Sequence, residues 1–354
     1  WMNDELDMLR ATARRFFETE VAPKADTWRR QHYIDRSVWR KAGELGLIGV
    51  SFPQAYGGHG GTYAHDVVIM EEQARVCDTA FGYVPGAFGA PMTLLLTGTP
   101  EQIHRWLPGI VAGESLLAFC ATEPNAGTDI KTLRTAARRE GDEWVINGSK
   151  MFITHGMRST HAIVAARTSG PGARGISLFM VEKDKAPGWR VGKVLEKMGQ
   201  HGLDTCEIFL DDVRVPHANL LGGVEGNGFG KMMDSFVKER LTIAVTAIAS
   251  AERAIELTLD HVKNRPMFNQ TLWDFQNTKF KLAECVSAAR IGRVFIDSLI
   301  QRLVQGDDPP SAEEAAMAKV WCSEQQWKIC DECLQLFGGY GYMQEYPISH
   351  FLMD

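Results

Sequence analysis

The chain has 354 residues, more than one ordinary hydrophobic core supports, so two or three domains are expected. Hydrophobic residues make up 45% and charged residues 23%, the balance of a soluble globular protein. The net charge of −6 excludes a sequence-wide basic field for nucleic acid or anionic membrane, and the longest apolar runs, such as residues 91–97, are too short to span a bilayer.

No signal-peptide pattern opens the sequence, and its start at Trp1 reads as a trimmed N-terminus. The seven cysteines are odd in number and lack disulfide-like spacing. That points to a reducing compartment, the cytoplasm or, in a eukaryote, the mitochondrial matrix. Cys330-Asp331-Glu332-Cys333 has CxxC spacing, but no second thiol or histidine pair lies near it in sequence. It reads as two small residues on a helix, and no metal is expected.

Residues 1–116 read as helices joined by turns, an N-terminal helical domain. Met8, Ala11, Arg15, Phe16 and Thr19 fall in one early periodic stretch ended by Pro23. Residues 37–47 form another, stopped near Gly49 and Pro53. Gly57-Gly58-His59-Gly60-Gly61 lacks the GxGxxG order and a preceding βα unit, so it reads as a flexible connection rather than a phosphate turn. From 117 to 226 the period changes to short β-rich runs at 144–146, 151–154, 162–166, 176–181 and 206–210. Turn signals separate them: Glu140-Gly141-Asp142, Asn147-Gly148, Ser169-Gly170-Pro171-Gly172 and Ala186-Pro187-Gly188. Their spacing suggests an antiparallel barrel or sandwich as the middle β domain. Residues 227–354 return to long helices. One carries Phe229, Met232, Met233, Phe236, Ile243 and Ala247 on a face; the next carries Leu282, Val286, Ala289, Ile296, Leu299 and Leu303. A third, about 312–337, turns Trp327, Cys330, Leu334 and Phe337 inward, and a shorter fourth completes a C-terminal four-helix bundle. The fold class is therefore α+β.

Five segments carry residues suited to chemistry. The first is Cys120-Ala121-Thr122-Glu123-Pro124-Asn125-Ala126-Gly127-Thr128-Asp129, a loop whose amides and hydroxyls can approach a ring edge or phosphates. The second is Asn147-Gly148-Ser149-Lys150-Met151-Phe152-Ile153-Thr154, where strand alternation puts Phe152 and Thr154 on one face and Ile153 on the other. The third, Gln335-Leu336-Phe337-Gly338-Gly339-Tyr340-Gly341-Tyr342, closes a helix with two adjacent glycines that let backbone pass close to a ligand. Plain structural readings stand beside each: a capped loop exit, a buried strand after a hairpin turn at Asn147-Gly148, and a Schellman-type helix stop.

The fourth segment is Asn264-Arg265-Pro266-Met267-Phe268, followed by Phe275-Gln276. Its plain reading is a helix-terminal arginine facing water. The fifth is Lys238-Glu239-Arg240. At about 100° per residue, Glu239 lies roughly 60° from Phe236 and roughly 40° from Ile243, within the apolar stripe. A carboxylate there is costly unless it has a task or a partner. Arg240 offers the structural alternative of an ion pair. Exclusion of water would raise the pKa of Glu239, as a base for a weak carbon acid requires.

In order and spacing these segments resemble the acyl-CoA dehydrogenase family, over essentially the whole chain. The resemblance implies FAD and the α,β-dehydrogenation of an acyl-CoA thioester to the trans-2-enoyl-CoA, with hydride transfer to the flavin. It implies that Phe119, Ala121, Thr122, Gly127 and Thr128 serve the cofactor, with Thr122 on the pyrimidine side and Thr128 on the pyrophosphate or the thioester ligand. Phe152 would cover the isoalloxazine, backed by Ile153, and Thr154 would reach N5. Arg265, with Phe268 and Gln276, would reach the pyrophosphate of a flavin in a neighbouring subunit of a homotetramer, and Gln335, Phe337, Gly338 and Gly339 complete the cofactor set. Glu239 would be the base, as in the long-chain and isovaleryl members that place Glu beside Arg here. Phe236, Arg240 and Thr128 would line the substrate. The resemblance further implies an electron-transfer flavoprotein as acceptor and a segment beyond Asp354 that folds over the flavin and polarises the thioester. The sequence departs from the usual pattern at Phe152, Pro266 and residues 85–91. Rival readings are a flavin oxidase or monooxygenase of the same fold, and a non-catalytic binding protein.

Overall fold

The computed structural model describes residues 1–306 and 308–354. The N-terminal helices are α1 (Asp4–Phe16), α2 (Ala25–Gln31), α3 (Arg36–Glu44), α4 (Tyr63–Arg75), α5 (Ala90–Thr97) and α6 (Pro100–Val111). Asn3 caps α1 by accepting from the Leu6 amide at 2.9 Å. The buried stripe of α1 is Leu6, Ala13 and Phe16. Of the stretch read from the sequence, only Phe16 faces inward, and Met8 is 68% exposed. The arginines of α1 explain the shifted phase: Arg10 and Arg14 turn toward α4 and pair with Glu72 at 3.3 and 2.8 Å. α4 is buried nearly all round, including Asp66, Glu71 and Glu72. Arg10 also pairs with Glu71 at 2.9 Å, and Arg293 joins Glu71 to Glu252. Glu71 and Glu72 each have an arginine beside them, which offsets the cost of burying a carboxylate, whereas Asp66 has none among the described residues and accepts from the Tyr83 hydroxyl at 2.8 Å. The glycine loop at 57–61 folds on its own chain, with Gly58 packed against the Phe52 carbonyl, and serves as a connection.

The middle strands are β1 (Leu117–Cys120), β2 (Ala136–Glu140), β3 (Glu143–Thr154), β4 (His161–Arg167), β5 (Ile176–Glu182), β6 (Trp189–Val194) and β7 (Thr205–Pro216). They form one curled sheet in the order β1-β4-β2-β3-β7-β6, with β5 beside β4. It is not wholly antiparallel as expected, because β1 runs parallel to β4 and β2 meets β4 in parallel at Ala136 and Arg167. Tight turns force antiparallel pairing only where they join neighbours, as Gly141 does between β2 and β3; β1 and β4 are joined by a long excursion that allows either sense. On β4 and β5, Ile163, Ala165, Ile176, Leu178 and Met180 face the helical core, while Ala162, Val164, Ala166, Phe179 and Val181 fill the sheet's own interior.

Asn147-Gly148 is not a hairpin turn. β3 runs through it with a register shift against β7 between Ile146 and Gly148. The extra residue lies on β7, and the Asn147 amide exchanges two 2.9 Å hydrogen bonds with Asp212 that lock this bulge. Gly148 is required there: its φ is +152°, and a side chain would meet Thr135 Oγ1 at 2.5 Å.

α7 (Gly228–Asn264) is followed by a small hairpin, β8 (Pro266–Met267) with β9 (Gln270–Thr271). Then come α8 (Gln276–Gln305), α9 (Ala312–Phe337) and the short α10 (Pro347–Met353), giving three long helices and one short. Two inward assignments need correction. Val286 is 45% exposed because Cys285 occupies the stripe of Leu282, Ala289 and Ile296, and Trp327 is 59% exposed because the α9 stripe runs through Ala318, Cys322, Ile329 and Cys333. Trp327, five residues beyond Cys322, is rotated about 140° from it.

Candidate active site

β3 places the second motif. A second register shift against β7, between Lys150 and Ile153, sets Met151 and Phe152 against one residue of the partner. Phe152 takes φ +59° and stands 65% exposed, Ile153 is buried, and Thr154 rejoins the ladder opposite Thr205. Simple alternation therefore fails at the residues where it mattered. Thr154 lines a cleft of about 520 Å³ with Met70, Tyr83, Pro85, Ile243 and Thr246, between α4, α7, the middle of α9 and the end of α10. Phe152 is not among the lining residues; its ring stands outside, open for a planar partner.

The first motif is held to β3 by a buried ion pair. Lys150 Nζ donates to Glu123 Oε1 at 2.8 Å and to the Ala121 carbonyl at 3.2 Å, and both side chains are sealed from solvent. The same carboxylate accepts from the Arg134 and Thr135 amides at 2.6 and 2.9 Å. Burial raises the Glu123 pKa, but Lys150 and these amides outweigh it and hold the carboxyl below its usual range; burial lowers the pKa of Lys150. One bond further, the Met151 amide donates to the Thr122 carbonyl at 2.9 Å. Phe119 and Thr122 are half-buried, Ala121 is buried, and Gly127 and Thr128 are exposed, with open space at the missing Gly127 side chain. The structure thus brings the loop and the strand into one platform. Glu123 and Lys150 are the residues the sequence reading passed over, although both lie inside the motifs it quoted. Their signal was the single lysine in the strand and one of the two acids, Glu123 and Asp129, in the loop.

Glu239 lies on α7, half-buried, one turn before Ile243. Burial raises its pKa, while the Ser235 hydroxyl and the Arg240 guanidinium oppose that rise. Among the described residues it forms no ion pair within 4.0 Å, so the Glu239–Arg240 pair is not made. A methyl group added at Gly89, in the π-helical turn Val84–Gly89, would sit 3.6 Å from the carboxylate. Glu239 and Phe236 stand just outside the cleft lining, whose α7 wall is Ile243, Thr246 and Ser250. Phe236 packs on the central core and Arg240 is half-buried.

The remaining motifs form a second cleft of about 500 Å³, which contains Arg265, Gln335, Phe337, Gly338 and Gly339 and shares no residue with the first. Glu239 and the end of α7 are about 38 Å apart at 1.5 Å per residue. Here Arg265 lies over the Tyr340 ring at 5.1 Å, and His261 stacks on Phe337 at 4.0 Å with its Nε2 buried and unpartnered among the described residues. Gly338 has φ +59° and ψ −137°, so the helix does not end in a Schellman cap. Phe268 is 83% exposed and contacts Phe275 edge-on, and Gln276 opens α8; neither lines the cleft. Among the described residues no group of His, Cys, Asp and Glu is placed to hold a metal ion, and no helix is long and apolar enough to cross a membrane.

Three family models match in series: the acyl-CoA dehydrogenase N-terminal domain over residues 3–114, the middle domain over 118–213 and the C-terminal domain over 226–354. The mitochondrial long-chain specific acyl-CoA dehydrogenase of Mus musculus is 40% identical over 99% of this chain and 82% of its own length. The crystal structure of an acyl-CoA dehydrogenase from Geobacillus kaustophilus aligns with TM-score 0.94 at 38% identity, covering 100% of this chain and 93% of that one. A glutaryl-CoA dehydrogenase from Mycobacterium smegmatis, solved in complex with FADH2, aligns with TM-score 0.90 at 26% identity, covering 99% and 89%. The chain belongs to the acyl-CoA dehydrogenase family, FAD-dependent oxidoreductases that dehydrogenate acyl-CoA thioesters. The residues beside the first cleft fit a flavin: an open aromatic ring close in sequence to Thr154 and a loop with free space at Gly127.

The buried pair yields a direct test. Lys150→Met leaves the Glu123 carboxylate in the interior without its cation, and should lower stability by about 3–5 kcal/mol. Thermal and denaturant melts against the unaltered protein check this; a shift equivalent to less than about 1 kcal/mol, the range of a surface pair, would contradict the role assigned to it.

Proposed function

We propose that Glu239 removes the α-proton of the bound acyl-CoA, with its carboxylate in the gap beside Gly89 and the acyl chain in the cleft that Thr154 lines. The observation that carries this reading is the unpaired carboxylate of Glu239 on an otherwise apolar face, with its pKa raised by burial, one turn from that cleft. A base for a weak carbon acid needs such a raised pKa. FAD, when bound, supplies the hydride acceptor. Thr154 would orient the ring edge by donating a hydrogen bond, Phe152 would cover the ring face, and Phe119, Ala121, Thr122, Gly127, Thr128 and Ile153 would shape the platform beneath. Thr128, Phe236 and Arg240 would border the thioester.

The separation of the two clefts supports a cofactor site completed by a second copy of the chain, in which Arg265, Phe268, Gln276, Gln335, Phe337, Gly338 and Gly339 serve a neighbour's diphosphate. An unpartnered apolar side of α8 and α9, including Phe280, Ile291, Val294 and Trp321, gives such an assembly surface to bury. A homotetramer, an electron-transfer flavoprotein as acceptor and a reducing compartment are parts of the same proposal; the seven cysteines are all unpaired.

Glu239→Gln should retain flavin and ligand binding yet slow anaerobic flavin reduction by acyl-CoA at least about a hundredfold. In the unaltered protein that rate should climb as pH rises through the raised Glu239 pKa, since only the carboxylate accepts a proton; the variant should show no such limb. A near-normal rate in the variant removes Glu239 from the base role.

Arg265→Ala should weaken both flavin retention and assembly, read by absorbance after gel filtration and by elution size. A fully yellow variant of unchanged size would show that no second copy is held through Arg265.

The acceptor is tested by turnover under air and under argon with a dye or an electron-transfer flavoprotein, with peroxide quantified. Slow turnover with oxygen alone is expected. Peroxide formed in step with product at the dye-assay rate would identify an oxidase.

A further inference from the structure

We propose that His155 is a positioning residue for the dehydrogenation: its buried ring keys the strand end that carries Thr154 into the ribbon 82–89 that abuts Glu239, and so sets the spacing between the flavin edge and the base. The proposal rests on the reading of Glu239 as the base and of Thr154 as the flavin's neighbour.

The reaction breaks C–H bonds on two adjacent carbons, so the groups that serve them must be held in register. Those groups stand on different elements. Thr154 ends β3, whereas Glu239 on α7 is met by Gly89 at the far end of the ribbon. His155 directly follows Thr154 and is wholly buried. Its Nε2 lies against two glycines of the ribbon: a methyl group added at Gly82 or at Gly86 would come within 2.9 Å of it. The Gly86 amide donates to the Gly82 carbonyl at 3.0 Å, so the two glycines form one face, a single helical turn long. Gly82 lines the cleft with Thr154 and Leu203, and the methyl added at Gly82 would also meet Leu203 Cδ1 at 2.9 Å. Three segments of the cleft wall therefore converge on one imidazole behind it.

The ring is fixed from its other sides. The backbone of His155 has φ +57°, a conformation that histidine, asparagine and aspartate enter more readily than most residues. Its amide donates to the Asp204 carbonyl at 3.0 Å, and its carbonyl accepts from the Ser159 amide at 2.8 Å. The Trp39 ring meets the imidazole edge-on at 5.7 Å and is itself stacked on Phe81 at 4.5 Å. Nδ1 faces the buried Asp204 carboxylate, 3.9 Å from Oδ1, and Asp204 Oδ2 is anchored by the Met157 amide at 2.7 Å.

Ordinary packing does not account for this choice of groups. Both ring nitrogens of His155 and Asp204 Oδ1 are buried with no hydrogen-bond partner among the described residues. An apolar side chain would fill the same space at less expense in desolvation. Gly86 has no positive φ that calls for glycine, and a glycine within a helical turn forgoes about 1 kcal/mol relative to alanine. A methyl group there would collide with the Trp39 ring at 2.7 Å as well as with His155. The arrangement provides a flat ring, oriented by a carboxylate, pressed directly onto bare backbone. Such a contact passes the position of the strand to the ribbon without the slack of an intervening flexible side chain.

The test uses the flavin-loaded protein, reduced anaerobically by saturating acyl-CoA. His155→Asn keeps a side chain suited to the positive φ but removes the ring. It should slow flavin reduction about tenfold to a hundredfold, the cost of a misplacement near 1 Å, with ligand Kd changed by less than about threefold. The rising limb of the pH profile assigned to Glu239 should keep its midpoint while its plateau falls, because the base is intact and only its register is lost. Amides of residues 82–89 should exchange hydrogen at least about tenfold faster in the variant, a readout independent of turnover. His155→Gln reaches part of the way to the glycines and should lose less; it carries the test if the asparagine variant does not fold. Flavin content and elution size show which variants are folded. A folded variant that reduces its flavin at the unaltered rate, or that leaves exchange in 82–89 unchanged, overturns the key while leaving Glu239 as the base. So does a shifted midpoint with an unchanged plateau. Failure of the unaltered protein to reduce its flavin with any straight-chain acyl-CoA from butyryl to palmitoyl overturns both.

Discussion

The long helix α7 is the constraint on which the molecule's arrangement depends. It packs against α4, α5, α8 and α9, and it touches the sheet at β5. Its first half carries Glu239 past the π-helical turn, its middle forms one wall of the cleft, and its end delivers Arg265 to the second cleft. Because a helix is stiff on this scale, the two chemical ends are held at a fixed separation. The catalytic proposal and the assembly proposal are therefore two consequences of one element.

Against that rigid helix, β3 supplies deviation. Two irregularities between β3 and β7 do different tasks: at the first the extra residue belongs to β7, held by the Asn147–Asp212 exchange, and at the second it belongs to β3, turning Phe152 out and delivering Thr154 to the cleft. The Lys150–Glu123 pair lies between them and fastens the strand to the loop. A strand that needs both an exposed aromatic and an adjacent hydroxyl on the cleft side cannot obtain them from strict period-two geometry.

Much of this was legible in the sequence. The change from helical to strand period near residue 117 and back after 226 was visible because apolar spacing is set by burial. The half-buried position of Glu239 was legible because a helix wheel places it on an apolar stripe. Asn147-Gly148 misled because the same dipeptide that suits a tight turn also suits a bulge, and only the partner strand decides between them. The parallel pairing of β1 was hidden because it depends on residues 117 and 161 meeting across an excursion of the chain. Trp327 and Val286 were misplaced inward because hydrophobicity does not say whether a helix face meets its own core or another surface. The Tyr83–Asp66 contact spans a loop of no regular period, so no pattern announced it.

The largest apolar cluster ignores the three stretches into which the sequence divides. It runs from Leu6 and Trp39 through Ile163 and Met180 on the sheet to Met232, Ile248 and Ile300 in the bundle. The helical N-terminus, the sheet and the bundle each present a face that only the others cover. Such pieces cannot be traded singly between relatives as self-sufficient modules: a recombinant with a foreign middle stretch inherits half of someone else's interior. A change of side-chain volume in any one stretch is therefore felt in the packing of the other two.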